Sequence, residues 1–288
     1  MQEGVVKKKF LPTTYGKIAY REMGSANKLP VLFAHGIPTS SYLWRHVMGF
    51  LHHNFACYAP DLMGLGDTVV DPDKTEFHMA SQAAMLVEFM DRLGHGAFAL
   101  VCHDQGGAAA QIIAAKYPEK LTCLVLTDCV CYNRWPVPVI RRLQMWARLP
   151  VLPDLLCRSG FVEWIETSTP FSSFRRGFYD PDKMNVAVIR KYLCPLRGNR
   201  NARRGFLKFL LAGDYSYTED ALPGLKRFDK PTLIIWAAND NYLSPALGRR
   251  LFDDIPGAKR LEVVNRCGHF WPEEHPAAFS DIMRDFLK

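Results

Sequence analysis

Short apolar runs of strand length alternate with segments of helical spacing over most of the chain. Residues 17–22 alternate polar and apolar side chains as a half-buried strand does. Residues 30–34, 55–59, 97–102, 121–126 and 231–236 are largely apolar runs, the pattern of strands buried on both faces, and Arg260-Leu261-Glu262-Val263-Val264 completes the set of strands. Between them, residues 79–93 have helical spacing and stop at Gly94, and residues 108–117 are helical in composition and stop at Pro118. A last helix is marked by Phe279, Ile282 and Phe286. Strand and helix in alternation predict a largely parallel sheet covered on both faces.

The rhythm fails between residues 133 and 215. Amphipathic patches remain at 139–147, 161–165 and 184–193, and so long an interval is not a plain loop in a compact domain. The expected organisation is a core of residues 1–132 and 216–288 carrying a helical cap, residues 133–215. The cap is expected over the carboxyl edge of the sheet, where ligands bind in open α/β folds.

Composition narrows the class. With 288 residues, 48% hydrophobic and 23% charged, the chain is an ordinary globular one with its insertion. No apolar stretch is long enough to span a membrane, and the amino terminus through Lys9 has no apolar signal core. The eight cysteines are scattered, several within strand-like runs, as reduced buried thiols are. These features lead to an expected cytoplasmic location. The net charge of +7 is concentrated in the insertion, where fifteen Lys and Arg face six Asp and Glu. That excess reads either as a solvated helical surface or as a bias toward anionic substrates or partners. No nucleic-acid recognition motif accompanies it, and no cluster has metal-ligand spacing. The expected partner is a small-molecule substrate, with a homodimer as the self-association considered; no nucleic acid, membrane, metal or cofactor is expected.

The chemistry is concentrated at His103-Asp104-Gln105-Gly106-Gly107. An apolar strand precedes it and a helix follows, which is the setting of a nucleophile elbow. A serine at the apex would attack carbonyl carbon. Asp104 at the apex would form an unproductive anhydride that way, but it can displace a leaving group from saturated carbon to give a hydrolysable ester. Epoxide opening and halide removal are therefore favoured over ordinary ester hydrolysis. Asp104 acting only as a helix cap is the plain structural alternative.

A base stands in Cys267-Gly268-His269-Phe270, after the last strand. His269 is expected to activate water against the ester. Two acids are candidates to orient it. Asp240 follows the strand at 231–236 and is preferred; Asp128 follows the strand at 121–126. The loop Ala34-His35-Gly36-Ile37-Pro38 leads to Trp44 and is expected to supply an oxyanion hole from the main-chain amides of Ile37 and Gln105, with a cis bond before Pro38. His35, Trp44 and His103 join the candidate substrate-binding residues.

Together, the His-Gly-x-Pro loop, Pro60-Asp61-Leu62-x-Gly64-x-Gly66-Asp67, the Asp elbow, Asp240 and Gly268-His269-Phe270 resemble the α/β-hydrolase family, in its epoxide hydrolase and haloalkane dehalogenase branch. The resemblance covers residues 15–130 and 228–288 and implies an α/β fold with a mostly parallel eight-stranded sheet and a helical cap domain. It departs from the family in two ways. Haloalkane dehalogenases hold halide with a side-chain donor after His-Gly and an indole after the nucleophile; here those positions are Ile37 and Gln105. Fluoroacetate dehalogenases carry arginines after the nucleophile, where this chain has Gln105 and Ala108. Epoxide hydrolases accept an apolar residue at Ile37 but need cap tyrosines to protonate the departing oxygen. Tyr132, Tyr179, Tyr192, Tyr215 and Tyr217 are available, with Tyr215 preferred. The resemblance implies an epoxide hydrolase first, a haloalkane or haloacid dehalogenase second, and a non-hydrolytic member, luciferase-like or ligand-binding, third.

Overall fold

The structure is a computed structural model describing residues 7–288. Most of the amino-terminal stretch read above for a signal core, residues 1–6, lies outside the described residues. Eight strands form one sheet: β1 (Lys9–Thr13), β2 (Gly16–Met23), β3 (Pro30–Ala34), β4 (Ala56–Pro60), β5 (Phe98–Asp104), β6 (Leu121–Cys129), β7 (Thr232–Ala237) and β8 (Ala258–Val264). Their order is β1-β2-β4-β3-β5-β6-β7-β8. β1 pairs antiparallel with β2, and β2 antiparallel with β4; every other pairing is parallel. Seven strands coincide with the apolar or alternating runs. β1 does not, because it is a sheet-edge strand with Lys9, Phe10 and Pro12 exposed, and an edge needs no buried run.

Alternation along the parallel strands divides the core into two layers. Leu32, Leu100, Leu124 and Ile234 point to one face, under the helices Met79–Arg92 and Gly106–Lys116. Val31, Phe33, Ala99, Val101, Val125 and Ile235 point to the other, under Arg45–Leu51 and Pro276–Phe286. The chain leaves β3 for β4 on one side and returns past it to β5 on the other. This reversal opens a crevice beyond the carboxyl ends of β3 and β5, where ligands bind in such sheets. The loop after β3 and the elbow after β5 both open into that crevice.

Between β6 and β7 the chain runs through seven α-helices, the first six being Pro138–Ala147, Leu152–Ser159, Phe161–Ser168, Ser173–Gly177, Val186–Gly198 and Arg200–Ala212. Three of them carry the patches seen in the sequence. Arg200–Ala212 begins in the most basic stretch, where the Asn199 side chain accepts from the N–H groups of Asn201 and Ala202. The next helix, Ser216–Leu225, returns to the sheet and packs on Gly106–Lys116; a Cβ on Gly224 would stand 2.4 Å from that of Ala115.

Candidate active site

Asp104 ends β5 with φ +50°, a left-handed conformation that costs a non-glycine residue free energy and holds its side chain above the sheet. Two close approaches make the turn possible. A Cβ on Gly107 would meet Cys129 Cβ at 2.2 Å, so the elbow helix can lie against β6 only with glycine there. A Cβ on Gly36 would meet Asp104 Oδ2 at 2.2 Å, so the loop after β3 can approach the carboxylate only with glycine there. The Ile37 N–H consequently donates to Asp104 Oδ2 at 2.8 Å, and the Gln105 N–H also donates to the carboxylate. The Ile37–Pro38 peptide is cis.

His269 faces the other oxygen. Its Nε2 is 4.0 Å from Asp104 Oδ1, beyond hydrogen-bond reach, so the ring nitrogen faces the carboxylate without being bound to it. Its Nδ1 is 2.8 Å from Asp240 Oδ2. Asp240 is itself held by the N–H groups of Tyr242 and Leu243, at 2.7 and 2.9 Å on Oδ1. The His269 loop is pinned by Glu274, which accepts from the N–H groups of Gly268, Tyr179 and Asp180.

The charges follow from this packing. Burial raises the Asp104 carboxyl to about 6 in spite of His269 and the two amides. Burial works against protonation of His269, but Asp240, Asp104 and Asp128 outweigh it and lift the imidazole to about 9. Burial likewise opposes ionisation of Asp240, and His269 with the backbone donors overcomes it, leaving this carboxyl below its usual range.

Five of the candidate residues lie elsewhere than in the cavity. Asp128 does not reach His269: at φ +42° its carboxylate turns back to accept from Ala237 N–H at 2.9 Å, Trp271 Nε1–H at 2.6 Å and Thr127 Oγ–H at 2.7 Å. Burial, and Asp240 beside it, raise its carboxyl well above the ordinary value for Asp. Trp44 is buried in the opposite core layer between Phe33 and Phe279, away from the cavity. His35 and His103 also lie behind the site. His35 Nε2 accepts the Leu62 N–H, whereas His103 Nε2–H donates to the His269 carbonyl at 2.8 Å, and burial lowers the His103 imidazole to about 3. Tyr215 is 44% exposed at the start of Ser216–Leu225 and does not line the cavity. Nor do the other four tyrosines. Tyr132 bonds Asp254, Tyr192 bonds Glu273, Tyr217 stacks on His78, and Tyr179 is exposed.

Above Asp104 and His269 lies a cavity of about 310 Å³ between the sheet and the helices inserted after β6. Ile37, Trp135, Ile140, Trp146, Leu210 and Phe270 give it an apolar wall. Its polar members beyond Asp104 and His269 are Gln105, Glu166, Ser173 and Tyr242. Gln105 Oε1 is buried without a partner. The Tyr242 hydroxyl donates to the Ser173 carbonyl at 2.6 Å, and its ring meets that of His269 edge-on at 5.3 Å. Glu166 is held by neutral donors, Ser173 N–H at 2.8 Å and the Ser172 and Ser173 hydroxyls among them. Sequence reasoning missed Glu166 and Tyr242. Tyr242 stands two residues after Asp240, whereas nothing in the local pattern marks Glu166.

The alpha/beta hydrolase family matches residues 31–282. A 2-hydroxy-6-oxononadienedioate/2-hydroxy-6-oxononatrienedioate hydrolase of Burkholderia vietnamiensis is 28% identical, over 94% of this chain and 91% of its own. Epoxide hydrolase 3 of Xenopus tropicalis is 22% identical, over 93% of this chain and 74% of its own. The crystal structure of an ancestral haloalkane dehalogenase superimposes with a TM-score of 0.79 at 25% identity, covering 97% of this chain and 98% of that one. Matched by the family over most of its length, and with epoxide hydrolase and haloalkane dehalogenase relatives, the chain belongs to the alpha/beta hydrolase family.

Proposed function

We propose that this hydrolase opens epoxides through a covalent ester on Asp104. The observation that carries the reading is the division of labour on one carboxylate: Oδ2 is held by the Ile37 amide, while Oδ1 faces His269 in an apolar cavity. Oδ1 attacks the less hindered epoxide carbon, the carbon–oxygen bond breaks, and the departing oxygen takes a proton. Among the described residues Tyr242 is the phenol that lines the cavity, and its hydroxyl, bonded to the Ser173 carbonyl at 2.6 Å, would turn from that carbonyl to the departing oxygen to donate.

Water then attacks Cγ of the ester. Its proton passes to His269 Nε2, and the charge forming on Oδ2 meets the Ile37 and Gln105 amides. Ester formation removes the Asp104 charge, one of the groups that raise His269, so the imidazole gives up its proton more readily at the stage where it must act as base. As the tetrahedral intermediate collapses, His269 returns its proton to the leaving oxygen and the diol departs; the second proton of the water, left on the Asp104 carboxyl, goes back to the Tyr242 phenolate, which restores both groups.

Dehalogenation is the second reading, and one observation favours it: Gln105, directly after Asp104, lines the cavity. An amide N–H from this side chain would give a halide one donor. The Trp135 indole N–H is already taken by Thr218 Oγ at 2.8 Å. A panel of epoxides, haloalkanes, haloacids and aryl esters against wild type and Asp104→Ala separates the two readings. Diol formation abolished in the variant supports the proposal. Halide release without any epoxide turnover overturns it.

A further inference from the structure

The outer face of the cap carries an apolar surface that the chemistry at Asp104 does not use. Leu143 and Phe161 line the cavity and are also exposed, so they stand at its rim. On their two helices Met145 and Trp164 are exposed, and so are Leu155 on Leu152–Ser159 between them, Val151 just before that helix and Phe171 in the turn after Phe161–Ser168; Val151 is 79% and Phe171 85% accessible. Leu152–Ser159 and Phe161–Ser168 pack on each other, and the rings of Phe161 and Trp164 are 5.7 Å apart. Scattered exposed apolar side chains are ordinary, but a cluster around a cavity mouth marks an interaction surface.

The exposed charge of the same stretch of chain has one sign. Over residues 138–177 the exposed charged side chains are Arg141, Arg142, Arg148, Arg158, Arg175 and Arg176. The acids of the same stretch are half-buried and engaged: Asp154 with Arg203, Glu163 with Arg190, and Glu166 with Ser172 and Ser173. Aromatic and aliphatic side chains surrounded by arginines are the composition of a surface that lies in the headgroup region of an anionic bilayer.

We propose that this face of the cap docks on an anionic lipid surface and admits apolar substrate to the cavity past Leu143 and Phe161. No helix among the described residues is long and apolar enough to cross a membrane, so the contact is peripheral. A second copy of the chain fits the face less well. In a two-fold interface the same patch meets itself, which sets the arginines of one copy against those of the other. The proposal rests on the cap alone and holds whichever leaving group Asp104 displaces.

Co-sedimentation of the full chain with vesicles tests it, comparing phosphatidylcholine alone with phosphatidylcholine and phosphatidylglycerol in equal parts. Binding is expected to the mixed vesicles, with little to the neutral ones, and is expected to fall as salt screens the arginines. Arg141→Gln with Arg142→Gln should weaken it by about fivefold per arginine removed. Trp164→Glu with Phe171→Glu should abolish it; both side chains are exposed, so an unchanged thermal melt shows that the fold survives. Equal binding to both vesicles, no binding to either, or binding unaffected by the Trp164 and Phe171 changes overturns the proposal. A stable dimer by light scattering that Trp164→Glu with Phe171→Glu dissociates would assign the face to a second copy and overturn it as well.

Discussion

His269 Nδ1 lies 2.8 Å from Asp240 Oδ2, a buried contact that turns the opposite ring nitrogen toward Asp104. It joins the loop after β7 to the loop after β8, and it separates the two carboxylates that the sequence offers, the preferred Asp240 from Asp128. An orienting acid stabilises the imidazolium that forms as water loses its proton. Asp240→Asn is expected to lower turnover on the order of 10³–10⁴-fold. Asp128→Asn should leave most of the turnover intact. It should instead destabilise the fold by about 1–3 kcal/mol, because the amide NH₂ must face a donor in place of an acceptor. Steady-state rates and melting temperatures of both variants check this; the reverse ranking would move the acid to Asp128.

The stability of the fold should depend on pH through His269. Its imidazole is lifted to about 9 in the folded protein, above the ordinary 6.5. A raised folded value means that stability is fully present below pH 6.5 and is lost as pH rises through 9. The contribution is on the order of 3 kcal/mol. Melting temperatures of wild type and His269→Gln should converge across that window. Parallel curves would show that the imidazole is not held protonated.

Asp104 makes the opposite contribution at neutral pH. Burial raises its carboxyl from 3.8 to about 6, so the folded state disfavours the ionised form that chemistry requires. Stability from this group is greatest below pH 3.8 and is lost as pH rises through 6. Asp104→Asn removes that cost while keeping an acceptor for the Ile37 amide. The variant is expected to be inactive and to melt a few degrees higher at pH 7.5, a gain of roughly 1–3 kcal/mol. The alkylation rate of wild type should rise with pH through about 6, as the nucleophile ionises. A lower melting temperature for Asp104→Asn would contradict the assigned cost.

Tyr242→Phe should slow alkylation by an epoxide on the order of 10²–10⁴-fold, the usual worth of a positioned acid, with a smaller effect on binding. Tyr215→Phe should have no effect, since Tyr215 does not line the cavity. Rapid-quench rates measure both. An unaltered rate in Tyr242→Phe would leave Glu166 and Gln105 as the remaining polar groups at the wall apart from Ser173.

Much of this arrangement was legible in the chain because its determinants are local. Buried parallel strands demand continuous apolar runs, and the elbow demands small residues where helix and strand touch, so β5, Asp104, Gly106 and Gly107 stood out together. β1 was not legible, since an edge strand has no such demand. The two acids follow successive sheet strands, and nothing in the sequence shows that Asp128 folds back under Trp271 while Asp240 turns outward to His269. Trp44 and Tyr215 failed for the same reason: the direction of a side chain at a helix end is set by tertiary packing. Glu166 was invisible because its partners lie in a turn six to eight residues ahead, within a cap whose packing no local period describes.

The covalent step is tested most directly by intact-protein mass spectrometry of His269→Gln after exposure to an epoxide that the wild type hydrolyses. Without its base the variant should still be alkylated once and stall. Its mass should rise by that of one epoxide, with the adduct on Asp104 and none on the Asp104→Ala protein. An unmodified His269→Gln protein after long exposure, with wild type active on the same compound, would contradict nucleophilic attack by Asp104.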